Sequence, residues 1–234
     1  MNVVLLGHTP DPEKAVAMAA RLCYSDAGIG ELRDSLNQDE VTRLVRRLRD
    51  MGHLSPFEHA SFSFGISGVS RVLSHQLVRH RIASFSQKSQ RYVSERQFEF
   101  VTPASISGNA EALRVFDEGM REIQAWYNAL VDLGIPKEDA RYVLPNACTT
   151  QLVCTFNARS LLNFFALRCC ARAQSEIRDL AWRMLDLVRG IAPIVFEKAG
   201  PPCVSEGRCK EGPMSCGRYK RYGADGQAGR TRNV

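Results

Sequence analysis

The chain has 234 residues, 44% hydrophobic and 24% charged, an ordinary globular composition whose length fits one large domain or two small ones, and one is expected. No apolar run approaches the ~20 residues of a membrane span, and the opening MNVVLLGHTPDPEK lacks the basic n-region of a signal peptide, so a cytoplasmic chain without membrane contact is expected. The formal charge is +6, but residues 217–234 hold five Arg or Lys against one Asp, which leaves the body at only +2; the end reads as a disordered solubilising tail, and no specific nucleic-acid partner is expected.

Asp11, Pro12 and Glu13 predict a helix start in which the Asp11 carboxylate caps free amides, with Ala15, Met18, Ala19 and Leu22 as the apolar stripe. A second helix is expected from about Asn37, with Val41, Leu44, Val45 and Leu48 inward, Arg43, Arg46, Arg47 and Arg49 outward, and a stop near Gly52. In HLSPFEH, Ser55 before Pro56 begins a turn whose hydroxyl and amides can face a phosphate. SFSFGIS alternates at period two and reads as a strand. From Ser70 the pattern turns helical through Val72, Leu73, Gln76 and Leu77, and RHRIASFSQKSQRY, residues 79–92, starts on that helix's last turn and runs into a loop. QFEFV is the next strand candidate, followed by a long amphipathic helix through Leu113, Phe116, Met120, Ile123, Tyr127 and Leu130 that stops at Gly134. ARYVLP reads as a short helix closed by Pro145, TQLVCTF as a strand, and Asn157 as the cap of a helix running to about Ile191. The fold class is therefore α+β, a single mixed domain of several helices around a small sheet with a long buried C-terminal helix.

The stretch at 79–92 carries Arg79, His80, Arg81, Lys88 and Arg91 and no carboxylate. Surface runs normally mix charge signs, so an all-donor segment points to an anionic ligand. The last helix presents a second anomaly, because Arg159, Asn163, Arg168 and Arg172 interrupt an apolar sequence, and only Glu176 and Asp179 stand close downstream as partners. At ~100° per residue Asn163 lies about 40° from Arg159, whereas Arg168 lies about 180° away. Either two ligands flank this helix or sites are shared between subunits. No GxSxG, HExxH or P-loop pattern is present. His53, His59, His75 and His80 lack metal-ligand spacing, and Cys203, Cys209 and Cys216 are separated by five and six residues rather than the two to four of zinc knuckles, so no metal is expected.

Arg-His-Arg, seven residues, then Ser resembles the signature of the flavin-dependent thymidylate synthases. HLSPFEH, SHQLVRHR, ARYVLP and NARSLLNFFALR with AQSEIR resemble the same family in the same order, over roughly residues 1–200. That resemblance implies a catalytic domain at 1–200, with a Cys/Gly-rich loop and basic tail at 201–234. It implies a homotetramer with shared active sites that converts dUMP to dTMP. The one-carbon unit comes from methylenetetrahydrofolate and the hydride from reduced FAD, with NADPH as reductant and no cysteine nucleophile. Carried over residue by residue, Ser55, Arg79, His80, Arg81, Gln87, Asn157, Arg159 and Asn163 are cofactor contacts. Gln76, Arg79, Gln87, Lys88, Ser89, Gln90, Arg91, Arg141 and Arg168 are substrate contacts, with Arg168 catalytic. His53 and Tyr92 line the folate and flavin face. Many members have Asn-Glu where this chain has Ser86-Gln87, which replaces a carboxylate with an amide and holds open a flavoprotein without synthase activity. The competing class is a basic nucleic-acid-binding module that depends on the tail.

Overall fold

The computed structural model describes residues 1–26, 28–31 and 36–218. Four strands, β1 (Asn2–His8), β2 (Ser61–Ser70), β3 (Ala83–Gln87) and β4 (Thr149–Asn157), form one sheet in the order β1-β2-β4-β3. Central pairing is antiparallel, with Ala158 N donating to Ala60 O at 2.8 Å at one end and Arg71 N to Cys148 O at 3.1 Å at the other. The longer helices are α1 (Pro12–Leu22), α2 (Gln38–Asp50), α3 (Arg71–Leu77), α4 (Ala110–Asp132), α5 (Ala158–Arg168) and α6 (Ser175–Ile191). The α+β class is thus as expected. No helix among the described residues is long and apolar enough to cross a membrane.

The chain packs as two compact units, and each strand contributes residues to both. The first comprises Met1–Val3, Gly65–Arg81 and Phe85–Cys154. Its core sets Phe98, Met120 and Cys148 against Phe116, Ile123 and Leu144, so the apolar face of α4 closes over the start of β4. The second comprises Val4–Phe64, Ile82–Ser84 and the chain from Thr155 on. Its core is a run of ring contacts through Phe156, Phe164, Phe165, Phe196 and Phe62. Buried Phe62, Phe64 and Ile66 give β2 the alternation read from SFSFGIS.

Several local expectations hold. Asn37 and Glu40 form a reciprocal capping box on α2, and Gly52 at φ 72° lets the chain leave it with His53 N donating back to Leu48 O. Others are corrected. Asp11 makes no side-chain cap bond and sits in the left-handed region at φ 43°. The buried face of α1 is Val16, Ala17 and Ala20 with Glu13, and Leu22 on the expected stripe is exposed. The Glu13 carboxylate accepts from Ile194 N at 2.6 Å, which anchors that face inward, and burial raises its pKa. Arg49 points inward rather than outward, donating to Ile194 O and pairing with Glu197 at 2.9 Å. QFEFV forms only one bridge, Phe100 to Cys148, because α4 rather than a neighbouring strand covers Phe98. The segment after His80 becomes β3 instead of a loop.

The helix expected from Asn157 to Ile191 is two helices. Asn157 caps α5 as read, accepting from Ser160 N at 2.8 Å. The chain then breaks at 169–174, where the Arg178 guanidinium donates to Ala171 O and Ala173 O, and the Gln174 side chain caps α6. Nor is α5 buried on all sides, since Arg159, Asn163 and Leu167 form an exposed stripe in the single chain, with Leu167 55% exposed. The basic tail from residue 219 on lies outside the described residues.

Ser70 starts α3 by accepting from Leu73 N at 3.1 Å in a buried position. Ser70→Ala leaves that amide without a partner and is expected to cost about 1 kcal/mol, read as a lower thermal midpoint. An unchanged midpoint would contradict the capping role.

Candidate active site

In the first unit, α3 ends at Leu77, with Gln76 half-buried on its last turn, and delivers Arg79, His80 and Arg81 directly behind it. The backbone amide of His80 donates to Leu77 O at 3.1 Å, a tight turn that stops the helix. Arg79 and Arg81 are exposed, and neither has an ion-pair partner among the described residues. This is what an anion-binding pair requires. The chain then extends through the five residues of β3, at ~3.3 Å per residue, so the two ends of the motif are held about 16 Å apart along the strand.

Gln87 closes β3 with its side chain turned inward, the amide NH2 donating to Ser74 Oγ at 3.0 Å and Thr150 Oγ1 at 3.1 Å. Both hydroxyls belong to buried residues. The amide oxygen remains as an acceptor. Ser89, Gln90 and Arg91 follow in a loop whose turn is closed by Val93 N donating to Ser89 O and by Arg91 N donating to Ser89 Oγ. The Arg91 guanidinium donates to Glu138 Oε2 at 2.8 Å, and Arg141 Nε donates to Glu138 O at 3.0 Å, so one short helical turn, Lys137–Ala140, gathers two candidate phosphate ligands. The hydrogen bond to Glu138 raises the Arg91 pKa. Tyr92 is 74% exposed, stacked under Arg91 with 5.5 Å from guanidinium carbon to ring centroid, and its carbonyl accepts from Lys137 Nζ.

In the second unit, Ser55 opens the turn Ser55–His59, whose Pro56 and Phe57 are buried, and His53 is half-buried just before it. Glu58 from this turn pairs with Arg159 of α5 at 2.6 Å. Ser55, Asn157 and Arg159 are thereby gathered at the N-terminus of α5, with Asn163 one turn further along the same face. Arg168 is the last residue of α5, half-buried, and desolvation lowers its pKa. Of the residues expected to pair here, Arg172 and Asp179 have other partners. Arg172 lies 3.9 Å from Glu211, and Asp179 pairs with Arg183 at 2.9 Å.

Lys88 is not an open cation, because its ammonium lies 3.1 Å from Glu95. Sequence reading missed Arg71, Glu95 and Glu138, which shape the loop without belonging to any motif. The one available signal was that the all-donor run needs a counter-charge from elsewhere.

Burial pushes the Cys148 thiol up to about 11 and Cys154 up to about 12, and raises Cys169 and Cys203 as well. No group of three His, Cys, Asp or Glu among the described residues is arranged to hold a metal ion.

With this geometry in place, the comparisons with known proteins identify the class. A family model described as thymidylate synthase complementing protein matches residues 4–194. The flavin-dependent thymidylate synthase of Geobacter sulfurreducens is 56% identical over 220 residues, covering 93% of this chain and 94% of that relative. Those of Clostridium tetani and Pyrococcus abyssi are 47% and 41% identical, each covering 94% of the relative's length and 93% and 94% of this chain. The chain belongs to the flavin-dependent thymidylate synthase family.

Because the thiolate is the reactive form, Cys148 and Cys154 are expected to resist iodoacetamide at pH 8 in the native protein while exposed Cys23 is labelled, as read by peptide mass spectrometry. Labelling of Cys148 as fast as Cys23 would contradict the burial argument.

Proposed function

We propose that the chain makes dTMP from dUMP as a flavin-dependent thymidylate synthase, with FAD as cofactor, methylenetetrahydrofolate as one-carbon donor and NADPH as reductant. The observation that carries this reading is β3, a strand of fixed length with guanidiniums that are unpaired among the described residues at one end and a Ser-Gln-Arg loop at the other. Family membership supports the flavin and the nucleotide. The donor set suits FAD, whose pyrophosphate is met by cations such as Arg79 and Arg81, which have no ion-pair partner among the described residues. Arg79, His80 and Arg81 are its cationic contacts. Ser55, Asn157, Arg159 and Asn163 supply hydroxyl, amide and guanidinium contacts. Bound and reduced, the flavin supplies the hydride.

The other roles belong to this chain's side chains. Arg91 and Arg141 hold the nucleotide phosphate, with Glu138 as the counter-charge that the phosphate replaces at Arg91. The Ser89 hydroxyl and the Gln90 amide position the nucleotide. Gln87, already tied to Ser74 and Thr150 through its NH2, offers its oxygen as a fixed acceptor, so hydrogen bonding survives the change from Glu. Gln76 stands on the same approach. Arg168 stabilises negative charge on the pyrimidine, and its partial desolvation strengthens that interaction. His53 and Tyr92 face the flavin and folate. A cysteine nucleophile is not used; what supports this is that the thiol nearest the nucleotide loop, Cys148, is pushed up to about 11 and keeps its proton at neutral pH.

We further propose a homotetramer whose active sites draw on more than one subunit, with a catalytic domain at residues 1–200. The exposed stripe on α5, where Leu167 stands beside Arg159 and Asn163, supports burial by a second copy.

The test is tritium release from dUMP labelled at carbon 5, with methylenetetrahydrofolate and NADPH present. The wild-type chain is expected to release tritium, and Arg168→Ala to lose at least about a hundredfold in turnover while eluting at the same assembled size. Absence of wild-type release would end the reading, and normal release by the variant would reject the role of Arg168.

A further inference from the structure

The loop that presents Ser89, Gln90 and Arg91 is fastened at both ends by backbone contacts. At its start, Lys88 N donates to Gln151 O at 2.9 Å, and Lys88 O accepts from Arg71 Nη2 at 2.9 Å. At its end, Glu95 N donates to Tyr127 Oη at 3.2 Å, and Glu95 O accepts from Gln124 Nε2 at 3.0 Å. The side chains then join one end to the other, because Lys88 Nζ lies 3.1 Å from Glu95 Oε1. That carboxylate is only 6% exposed, and its Oε1 makes no well-aligned hydrogen bond, so attraction to cations is what holds it in place.

Arg71 is the second cation. Its Nε is buried without a hydrogen-bond partner, and burial lowers its pKa, while Cys148 and the Glu95 carboxylate favour its charge and Arg141 opposes it. Arg71, Lys88 and Glu95 thus form a triad with one net positive charge, in which Glu95 is buried and the two cations are half-buried. Truncating one member of such a group leaves a desolvated charge uncompensated, whereas removing a matched pair does not. A loop closed by an ion pair also has less freedom to lose when a ligand orders it.

We propose that Arg71, Lys88 and Glu95 are positioning residues, a clasp that holds residues 89–94 in the conformation that takes the dUMP phosphate; this rests on the reading of that loop as the nucleotide-binding segment. Lys88 accordingly serves the loop's shape and makes no contact with substrate. Arg71 adds to the positive potential beside Arg141 without touching the ligand, since its Nη2 is committed to Lys88 O. Glu95 is the hinge of the arrangement, being the carboxylate whose charge reaches Arg71 while it pairs with Lys88.

The experiment compares full-length, FAD-loaded wild type with Glu95→Gln, Arg71→Met and Arg71→Lys, reading KM for dUMP and kcat by tritium release, with flavin content and assembled size alongside. Glu95→Gln and Arg71→Met are expected to raise KM for dUMP by roughly tenfold, with kcat at saturating dUMP within about twofold and flavin content unchanged. Arg71→Lys, which keeps the charge and a donor for the Lys88 carbonyl, is expected to recover part of the loss. An unchanged KM in both variants overturns the clasp, as does a loss of flavin in step with the rise in KM, which marks general damage. Should Glu95→Gln fail to fold, Lys88→Met combined with Glu95→Leu removes both charges together, and a wild-type KM in that protein overturns the proposal. Failure of the wild type itself to turn over dUMP would overturn both this inference and the reading beneath it, and differs from failure of the clasp alone, in which wild type and variants behave alike and are active.

Discussion

The extended backbone of β3 is the constraint on which the first unit's chemistry depends. A strand paired along its length can neither shorten nor bend freely, so its five residues separate the Arg-His-Arg turn from the Ser-Gln-Arg loop by a set distance. A flexible spacer of the same seven residues would let both cationic ends collapse onto one anion. The pleat adds a second consequence, because Ala83, Phe85 and Gln87 face inward while Ser84 and Ser86 face out. Gln87 is thereby delivered to Ser74 and Thr150.

Charge is distributed with the same logic. Arginines that serve as structure already have acids, as Arg49 has Glu197 and Arg96 has Asp132. Arginines proposed to meet ligand phosphates are either unpaired among the described residues, like Arg79 and Arg81, or hold a replaceable exposed partner, as Arg91 holds Glu138. Water screens an exposed pair so that it contributes little, and exchanging Glu138 for a dianionic phosphate meets little resistance. The pair of half-buried Lys88 with buried Glu95 is of the other kind and belongs to the scaffold.

Much of this was legible in the sequence, where local rules decide the outcome. The start of α2 near Asn37, the alternation of β2 and the Asn157 cap depend on neighbours within a few residues, and all were read correctly. The all-donor run was read as an anion site from its missing carboxylates alone. What failed depended on distant partners. The inward face of α1 is set by Glu13 reaching Ile194, and the inward turn of Arg49 by Glu197, partners 181 and 148 residues away along the chain. Strand β3 was hidden because an edge strand with serines on its outer face carries little hydrophobic signal. The break between α5 and α6 was hidden because CCARA is helix-compatible, and only Arg178 folding back on Ala171 and Ala173 shows that the chain turns there. Glu95 had no signature at all; its importance appears only once Lys88 is seen against it.

Whether this cationic framework holds a flavin beside a pyrimidine nucleotide is read from the visible absorption spectrum of the purified protein. A yellow protein is expected, whose flavin bands remain through gel filtration and shift when dUMP is added, as a nucleotide occupies the loop at 89–91. A colourless protein that neither takes up FAD nor responds to dUMP in its presence would contradict it.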